Sequence, residues 1–424
     1  MTRVLYALLW AVATPFVVAR LLLRARRMPG YAERIGERFG TYDPVPDAPR
    51  IWIHAVSVGE TRAAVPLVEA LSQSHPGHRI LLTHMTPTGR ATGEELFGDR
   101  VERAWLPYDQ GFAVRGFLRH FKPAFGIVLE TELWPRLLQE CRSQGVPVML
   151  ANARLSERSE RRYARFPSIA RWALANLAGI AAQTPTDARR FENLGAGEVA
   201  ATGNVKFDLA VPADTLERGE EFRRRFGAGR RIWVAGSTRE GEEALLLEAL
   251  AAQPPPPEVL LVIVPRHPQR FSEVAQLAAE RGFEVARRSD AAPAAPSVRV
   301  VVGDSMGEML AYYAAADVVL MGGSFLDYGS QNLIEACALG KPVVVGPSTF
   351  NFEQAADGAI ASGAAVRVAD ARAALAQAAA IQGDDARRAQ MGRKALEFVA
   401  AHRGAVERLM RWIGETLSRA KGRG

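Results

Sequence analysis

The sequence predicts an α/β protein with two doubly wound parallel sheets that face a cleft, preceded by an apolar helix. From residue 50 onward, short β-rich segments alternate with stretches of helical length, which is typical of parallel sheets with right-handed crossovers. A polar, charge-rich segment at 212–231 interrupts the alternation, which then resumes. The chain of 424 residues is long enough for two domains with complete cores. We therefore predict an N-terminal segment 1–27 and two Rossmann-like domains, 28–211 and 212–424.

The predicted strands are short and separated by helical segments in both halves of the chain. In the first half they are 51–58, 79–86, 125–129, 146–151, 179–183 and 199–202. In the second half they are 232–235, 259–264, 298–302, 318–321 and 342–345. Sheets of this kind bind ligands beyond the carboxyl ends of their strands, so the residues that follow the strands are the candidates for chemistry.

The apolar segment 4–23 predicts a membrane anchor. It contains one charge, Arg20, and Arg24, Arg26 and Arg27 follow it directly. Its length is marginal for crossing about 30 Å of hydrocarbon, although the charge of Arg20 can extend toward the interface. A cleaved signal peptide is the alternative, but there the basic residues would precede the apolar run. A core helix is a second alternative. We expect an uncleaved anchor that spans a membrane or lies in its interface, with the rest of the chain on the cytoplasmic side.

The charge and cysteine content narrow the possible partners. There are 53 Lys and Arg residues against 46 Asp and Glu, which gives a net charge of +7. This excess suits phosphate groups or an anionic membrane surface, and it raises nucleic acid as an alternative. No zinc-finger pattern, ribonucleoprotein motif or basic helix with interleaved aromatics is present, so we predict no nucleic-acid partner. Cys141 and Cys337 fall in apolar helical patterns, which indicates a reducing compartment.

Carboxylates follow two of the predicted strands in the first half. Glu60 comes after strand 51–58, on the bend before a predicted helix. Glu130 and Glu132 come directly after strand 125–129. Carboxylates at the ends of different strands suit a base and a charge stabiliser. A simple helix-capping role for Glu60 is the alternative.

Cationic side chains collect at the same edges of the predicted sheets. Those that follow a strand or close a domain are Arg90, Lys206, Arg239, Arg266 and His267. Each one alone is compatible with a surface cation, but together they suit an anionic ligand. A predicted helix start near Gly307 also leaves backbone N–H groups for an anion. The spacing of a metal site is absent from the sequence, so we expect Lys, Arg and helix N-termini to meet the phosphate charge without a metal.

The segment 301–347 carries the most informative pattern. Its strand ends at Gly322, Gly323 and Ser324, and a helix opens at Asn332 with Glu335 one turn in. A strand, a glycine-rich bend and a helix N-terminus with a carboxylate predict a sugar-nucleotide site. In that interpretation the backbone N–H groups bind phosphate and the carboxylate accepts hydroxyls. The alternative is an ordinary βαβ crossover whose glycines only permit close packing.

Many ordered sequence blocks resemble the Kdo transferases of lipopolysaccharide synthesis. In the first half they are GERFG at 36–40, HAVSVGE at 54–60, TPTG at 86–89, ETELWP at 130–135 and ANARLS at 151–156. In the second half they are KFD at 206–208, VPRHP at 264–268, VGDSMGE at 302–308 and GPSTFNF at 346–352. The resemblance covers almost the whole chain, including the N-terminal apolar segment.

This resemblance implies a GT-B glycosyltransferase that moves Kdo, 3-deoxy-D-manno-octulosonate, from CMP-Kdo to a lipid A precursor, lipid IVA, with inversion. It implies that Glu60 is the general base and that Glu130 and Lys206 stabilise the transition state. The donor-binding residues that it implies are Arg266, His267, Gly307, Glu308, Met309, Asn332, Leu333, Ile334 and Glu335. CMP-Kdo is then a co-substrate, and the resemblance implies no cofactor. The N-terminal domain would hold the acceptor at the membrane.

One block departs from the family pattern. The pattern Gly-Gly-His-Asn-Pro-Leu-Glu stands here as GSQNLIE at 329–335, so that Gln331 replaces the histidine. Gln331 retains hydrogen-bonding capacity but cannot become cationic. Two alternatives from other classes stay open at this point: another membrane-associated GT-B enzyme with a UDP-sugar donor, and a non-catalytic nucleotide-binding membrane protein.

Overall fold

The computed structural model describes residues 2–227 and 229–422. It divides into two compact units, Met1–Asp208 with Gly404–Gly424 and Leu209–Arg403. Each unit contains one parallel seven-stranded sheet with helices packed against it. The prediction of an α/β protein with two doubly wound sheets is therefore confirmed.

The first unit is built around a sheet whose chain order reverses in the middle. Its strands are β1 Arg50–His54, β2 Arg79–His84, β3 Val101–Trp105, β4 Pro123–Leu129, β5 Val148–Ala153, β6 Gly179–Ala182 and β7 Val199–Ala201. Its helices are α1 Thr2–Ala25, α2 Val58–Ala63, α3 Val65–Ser74, α4 Pro87–Phe97, α5 Gly111–Phe121, α6 Pro135–Ser143, α7 Glu157–Ala164, α8 Pro167–Leu174 and α9 Pro185–Asn193. The strand order is β3-β2-β1-β4-β5-β6-β7, so the order of strands along the chain reverses between the parallel neighbours β1 and β4. Such switch points are where doubly wound folds bind ligands.

Strand β1 is central because both of its faces are apolar. Ile51 and Ile53 point into one core cluster and Trp52 points into another. All three side chains are fully buried, as expected of a strand covered by helices on both sides. The indole of Trp52 donates to the Thr83 hydroxyl at 2.8 Å, which satisfies its N–H inside the core. A continuous apolar strand of this kind places the residues that follow it at the edge of the sheet.

The second unit repeats the architecture with a different strand order. Its strands are β8 Arg231–Thr238, β9 Val259–Pro265, β10 Val285–Arg287, β11 Val300–Val302, β12 Val318–Met321, β13 Val343–Val345 and β14 Ala365–Arg367. Its helices are α10 Thr215–Gly227, α11 Glu242–Ala252, α12 Phe271–Glu280, α13 Met309–Ala315, α14 Leu333–Ala338, α15 Glu353–Ser362, α16 Ala371–Gln382 and α17 Asp385–His402. The order β10-β11-β9-β8-β12-β13-β14 places the switch point between β8 and β12.

Most of the polar segment 212–231 forms helix α10 of the second unit and is not an irregular linker. Within α10, Phe222 and Phe226 are buried and pack against the ring of Tyr312. The buried stripe is narrow, while Arg and Glu fill most of the exposed face. The boundary between the units accordingly falls after Asp208, a few residues before the predicted position.

The last helix, α18 Ala405–Lys421, belongs to the first unit, although the sequence-based boundary assigned it to the second. Gly404 breaks the chain from α17 with a φ of 80°. The carboxylate of Asp208 then accepts the N–H groups of Gly404 and Val406, both at 2.6 Å. The buried Leu409 joins the core against the first sheet. The spacing of apolar residues in α18 is that of an amphipathic helix, but this periodicity does not specify which sheet the apolar face covers.

Three strands that the sequence did not predict lie at or near sheet edges. They are β3, β10 and β14. Strand β10 is partly buried throughout, and β3 and β14 mix buried with partly buried or exposed residues, because an edge strand has fewer neighbours and tolerates polar side chains. Their apolar runs are correspondingly too short to separate from the surrounding loops. The remaining predicted strands are observed with ends shifted by a few residues.

The predicted apolar segment forms helix α1. By length and composition its span Arg3–Ala25 could cross a membrane. One side of α1 nevertheless contacts the rest of the first unit.

Candidate active site

The carboxylates predicted from the first half meet at the switch point of the first sheet. Glu60 follows β1 and Glu130 follows β4, and these two strands are adjacent and parallel. Because the chain leaves them in opposite directions, a crevice opens where they end. The structure therefore brings together two candidates that are separated by 70 positions in the chain.

Glu60 is held by the turn that starts its own helix. Ser57 is the N-cap residue of α2, and its hydroxyl donates to Glu60 Oε1 at 3.0 Å. The backbone N–H of Val56 donates to Oε2 at 2.8 Å. The predicted bend is therefore wrong in one respect, since the strand ends at His54 and the helix begins at Val58. The sequence Ser-Val-Gly-Glu has the spacing of a capping box, which accounts for the early start.

The environment of Glu60 favours its protonated form. Burial and the nearby charge of Glu130 raise the pKa of the Glu60 carboxyl to about 8, against the lowering effect of the bonds from Val56 and Ser57. A helix cap at a protein surface would keep an ordinary carboxylate pKa. A carboxyl whose pKa lies close to working pH is suited to take up a proton during a reaction. The capping role and the proposed base are thus compatible in one side chain.

Glu130 and Lys206 form an ion pair, with Nζ and Oε1 2.7 Å apart. Glu130 has a left-handed backbone, with φ 59°, directly after β4. Lys206 lies in the short turn Val205–Asp208, where the side chain of Asn152 accepts the N–H of Val205 at 3.1 Å. Asn152 is itself left-handed, with φ 50°. Non-glycine residues with a left-handed backbone are strained and persist only where the surrounding contacts hold them. Such residues cluster at functional sites.

Glu132 and Thr131 lie in the loop that follows Glu130. Burial raises the pKa of Glu132, with a further contribution from the charge of Glu130. The hydroxyl of Thr131 donates to the carbonyl of Arg154, which fixes the loop against the segment after β5. Sequence analysis identified Glu132 as part of the carboxylate cluster, and the structure places it there as a neighbour of Glu130.

Arg90 does not stand in the structure as a free anion-binding group. Its guanidinium lies 3.8 Å from the buried carboxylate of Glu37 and stacks over the ring of Trp105. Thr86, from the same turn, caps α4 and donates to the carbonyl of Val56 at 2.9 Å. The turn therefore supports the segment before Glu60. Sequence reasoning missed this role because it depends on which loops become neighbours.

In the second unit, the glycine-rich bend is occupied by a carboxylate of the protein. Glu242 begins α11, is fully buried, and accepts the N–H groups of Gly323 at 2.6 Å and Phe325 at 2.9 Å. It also accepts the N–H of Arg239 at 2.8 Å. Gly322 donates its own N–H to the carbonyl of Gly236. The prediction that the N–H groups at Gly322–Ser324 bind a phosphate is therefore wrong for Gly322 and Gly323.

Arg266 and His267 follow β9, as predicted, and lie among other cations. The backbone N–H of Arg266 donates to the carbonyl of Thr238, which aligns the ends of β8 and β9. Partial burial and the charges of Arg239, Arg266 and Arg270 lower the pKa of His267, which favours its neutral form. The cationic character of this edge thus comes from arginine.

Glu308 is engaged by two arginines that the sequence did not single out. Arg218 lies 2.5 Å and Arg288 2.9 Å from its Oε1. Burial alone would raise the pKa of Glu308, but the hydrogen bond from Ser305 and these two cations lower it below the ordinary value. Gly307, just before it, has φ 76°, and α13 begins at Met309. The Gly307–Met309 segment is therefore fixed in place by charged side chains.

The predicted helix start at Asn332 is confirmed as the N-cap of α14. The side chain of Asn332 accepts the N–H of Ile334 at 3.2 Å and donates to Glu335 at 3.1 Å. Leu333 and Ile334 are fully buried, backbone included, whereas Asn332 and Glu335 on either side of them are half-buried. Ser330 occupies the place of the second glycine in the family pattern and has a left-handed φ of 70°. This is a further departure, at a position whose geometry explains the glycine.

Within residues 2–227 and 229–422, no group of three or more His, Cys, Asp or Glu side chains is placed to hold a metal ion. Both cysteines of the chain, Cys141 and Cys337, are free and buried. Burial raises the pKa of both thiols, which makes them unreactive core residues.

Two Rossmann-like units of this topology, with candidate groups at the strand ends, have the architecture of the GT-B fold. Residues 33–209 match the family model "3-Deoxy-D-manno-octulosonic-acid transferase (kdotransferase)", and 238–398 match "Glycosyl transferases group 1". A glycosyltransferase structure from Rickettsia africae covers 88% of this chain and 99% of its own, with a TM-score of 0.60 and 14% identity. The Anabaena HepE structure in complex with UDP and glucose covers 88% and 100%, with a TM-score of 0.57 and 15% identity. These two likenesses concern the fold.

Full-length relatives identify the family. The 3-deoxy-D-manno-octulosonic acid transferase of Bordetella pertussis is 45% identical, over 98% of this chain and 100% of its own. That of Haemophilus influenzae is 34% identical, over 99% and 100%. The chain belongs to the Kdo transferase family, and it is a glycosyltransferase of lipopolysaccharide synthesis. The resemblance drawn from the sequence blocks is thereby confirmed.

Proposed function

We propose that this enzyme transfers Kdo from CMP-Kdo to a lipid A precursor, lipid IVA, at the cytoplasmic face of the inner membrane. The observation that carries the proposal is Glu60, a buried carboxyl with a raised pKa at the switch point of the first sheet, beside the ion pair of Glu130 and Lys206. Family membership supplies the transferred sugar. The position and protonation of Glu60 supply the chemical step.

Glu60 acts as the general base in a direct displacement. A hydroxyl of the acceptor attacks the anomeric carbon of Kdo, and its proton passes to the Glu60 carboxylate. The new C–O bond forms on the face opposite the leaving group, while the bond from that carbon to the phosphate oxygen of CMP breaks. The electron pair of that bond leaves with CMP. One displacement of this kind inverts the anomeric carbon, and base assistance of this type contributes about 10²–10⁴-fold to a rate.

Glu130 and Lys206 set the electrostatics around the base. The charge of Glu130 raises the pKa of Glu60 and so increases its affinity for the proton it must accept. Lys206, 2.7 Å from Glu130, limits this repulsion and keeps a cation at the site. A fixed cation close to reacting oxygens stabilises negative charge that develops on them. Both residues therefore support the reaction without forming a bond to the sugar.

The second unit is proposed to bind CMP-Kdo through its cationic strand ends. Arg266 supplies charge for the phosphate, and the segments Gly307–Met309 and Asn332–Glu335, at the starts of α13 and α14, hold the nucleotide. A single phosphate needs fewer donors than a diphosphate. This is consistent with a bend in which Glu242 already takes the N–H groups of Gly323 and Phe325. A UDP-sugar would need additional donors for its second phosphate.

We further propose that the reaction needs no divalent metal at the enzyme, because arginine, lysine and helix N–H groups can balance the charge of one phosphate. With preformed CMP-Kdo, excess EDTA should leave the transfer rate unchanged within about twofold. Preformed donor is required, since an enzyme that makes CMP-Kdo can itself depend on a metal. Abolition of transfer by EDTA, with recovery on adding Mg²⁺, would contradict the proposal.

Mass spectrometry of the acceptor tests the function directly. Purified full-length enzyme is incubated with lipid IVA and CMP-Kdo, and the acceptor should gain the mass of one or more Kdo residues. A parallel incubation with UDP-sugars should leave it unchanged. Glu60→Gln is the matched control for catalysis. Product from a UDP-sugar, or none from CMP-Kdo with folded enzyme, would contradict the proposed donor and acceptor.

A further inference from the structure

Helix α1 packs on the first unit along one regular stripe. The residues of α1 that are buried or half-buried recur every three or four positions, as on one face of a helix. They are Tyr6, Trp10, Ala13, Thr14, Val17, Val18, Leu21 and Ala25. The stripe runs the whole length of the helix, so α1 lies along the unit instead of projecting from it.

Specific contacts hold both the first turns and the middle of the helix. The hydroxyl of Tyr6 donates to Asp109 Oδ2 at 2.6 Å, and its ring packs edge-on against Trp172. The side-chain amide of Gln110 donates to the hydroxyl of Thr14. At the other end Leu21 is 6% exposed. Polar partners on the receiving surface show that the surface is matched to this helix.

Asp109 ties the helix to the body of the unit. Its Oδ1 accepts the N–H of Leu137 at 2.6 Å, and its Oδ2 accepts the N–H of Arg136 at 3.0 Å. These N–H groups belong to the first turn of α6, which begins directly after the loop that carries Glu130. One buried carboxylate therefore joins α1 to the element next to the candidate active site.

The opposite face of α1 is apolar and unpartnered. Its large side chains are each at least half exposed: Val4, Leu5, Leu8, Leu9, Val12, Phe16, Leu22 and Leu23. A contiguous apolar face of this length is costly in water and marks an interaction surface.

The charges around this face identify its occupant. Arg3 and Arg20 lie within the helix, and Arg24, Arg26 and Arg27 follow near its end, whereas the first acidic residue of the chain is Glu33. An apolar face with basic residues and no acidic ones matches an anionic lipid leaflet. A second copy of the chain would instead bring like charges together.

We propose that α1 lies flat in one leaflet as a fixed part of the first unit, and does not cross the membrane. The contacts from Tyr6 to Leu21 extend over about 22 Å at 1.5 Å per residue. If α1 stood upright, those contacts would place Asp109 and Gln110 inside a hydrocarbon layer about 30 Å thick. Lying flat, α1 keeps every contact and buries its apolar face. This inference rests on the proposed function only in that the acceptor is membrane-bound.

Cysteine labelling of the full chain distinguishes the two orientations. Both native cysteines are buried, so a single added cysteine reports its own position. Arg3→Cys tests the start of the helix, Leu8→Cys tests its outer face, and Arg189→Cys on the exposed side of α9 marks the side of the folded units. Each variant is treated with a membrane-impermeant maleimide in inverted inner-membrane vesicles and in spheroplasts.

A flat helix predicts that positions 3 and 189 are labelled from the same side of the membrane. Position 8 should be labelled at less than about one tenth of the rate at position 189 in vesicles, because lipid covers it. Labelling of position 3 from the opposite side would show that α1 crosses the membrane and would overturn the proposal. Labelling of position 8 as fast as position 189 would also overturn it. Crosslinking of two chains through position 8 would assign the face to a second copy.

The same samples separate this inference from the proposed function. Glu60→Gln in each cysteine variant should lower transfer about 10²–10⁴-fold without changing the labelling pattern. A spanning pattern with normal Kdo transfer would refute the flat helix and leave the function intact. A flat pattern in an enzyme that does not use CMP-Kdo would refute the function alone.

Discussion

The two sheets place a buried carboxylate in equivalent positions and use it differently. In the first unit Glu60 follows β1 at the switch point, receives two hydrogen bonds and has a pKa raised to about 8. In the second unit Glu242 follows β8 at the switch point and accepts three backbone N–H groups, from Arg239, Gly323 and Phe325. The first carboxylate can still take up a proton. The second accepts N–H groups of a loop and thereby holds that loop in place.

This difference shows what a glycine-rich bend means physically. A bend after a parallel strand exposes N–H groups that must be satisfied by something. In a phosphate-binding loop the ligand satisfies them, whereas here Glu242 satisfies those of Gly323 and Phe325. The sequence pattern is the same in both cases. Only the partner of the N–H groups separates a ligand site from a structural turn.

The largest expected effect comes from removing the carboxylate of the first unit, Glu60. Glu60→Gln should keep the fold and donor binding but lower turnover about 10²–10⁴-fold, because the amide cannot accept the proton. Single-turnover transfer of Kdo measures the chemical step, and thermal unfolding checks the fold. Glu132→Gln, in the loop after β4, is the matched control from the same carboxylate cluster and should lose much less. Near-normal turnover of Glu60→Gln would remove Glu60 from the mechanism.

Removing the carboxylate of the second unit, Glu242, tests its structural role. Glu242→Ala leaves three buried N–H groups without an acceptor, and each unsatisfied group costs about 1–3 kcal/mol. We expect a loss of several kcal/mol in the free energy of unfolding of the second unit, measured by urea denaturation. Any activity that remains should keep the pH dependence of the unaltered enzyme. A stable variant with a shifted pH profile would show that Glu242 takes part in proton transfer.

The pH dependence of kcat/KM tests whether Glu60 acts as the base. A base must be ionised to act, so log kcat/KM should rise with pH at a slope of one and level off near the Glu60 pKa of about 8. Because the charge of Glu130 raises that pKa, Glu130→Gln should move the inflection to lower pH, alongside a loss of rate. A profile that falls between pH 6 and 8, or an inflection that moves upward in Glu130→Gln, would contradict this assignment.

Long apolar strands and ordered sequence blocks made most of the fold predictable. Strands such as β1 and β9 are buried on both faces, so their apolar runs stand out, and the capping pattern around Glu60 lies within four residues of sequence. The family resemblance implied a shared role for Glu130 and Lys206 but not their ion pair, which only the structure shows. What the sequence could not show depends on distant partners: the docking of α18, the bond from Tyr6 to Asp109, and the occupation of the glycine bend by Glu242. None of these leaves a periodic signal in the chain.

The smallest effect concerns the bend next to Glu242. Ser330 adopts φ 70° where the family pattern has glycine, and its hydroxyl donates to the carbonyl of Gln331 at 3.1 Å. A left-handed backbone costs a non-glycine residue about 1–2 kcal/mol, while glycine adds about 0.5–1 kcal/mol of unfolded-state entropy. Ser330→Gly should therefore stabilise the second unit by roughly 0.5 kcal/mol in urea denaturation. Ser330→Ala is the matched control, because it also removes the hydroxyl but retains the strained Cβ. If both variants change stability equally, the hydroxyl and not the backbone geometry determines the effect. If glycine is the less stable of the two, the strain at position 330 is offset by contacts of its side chain.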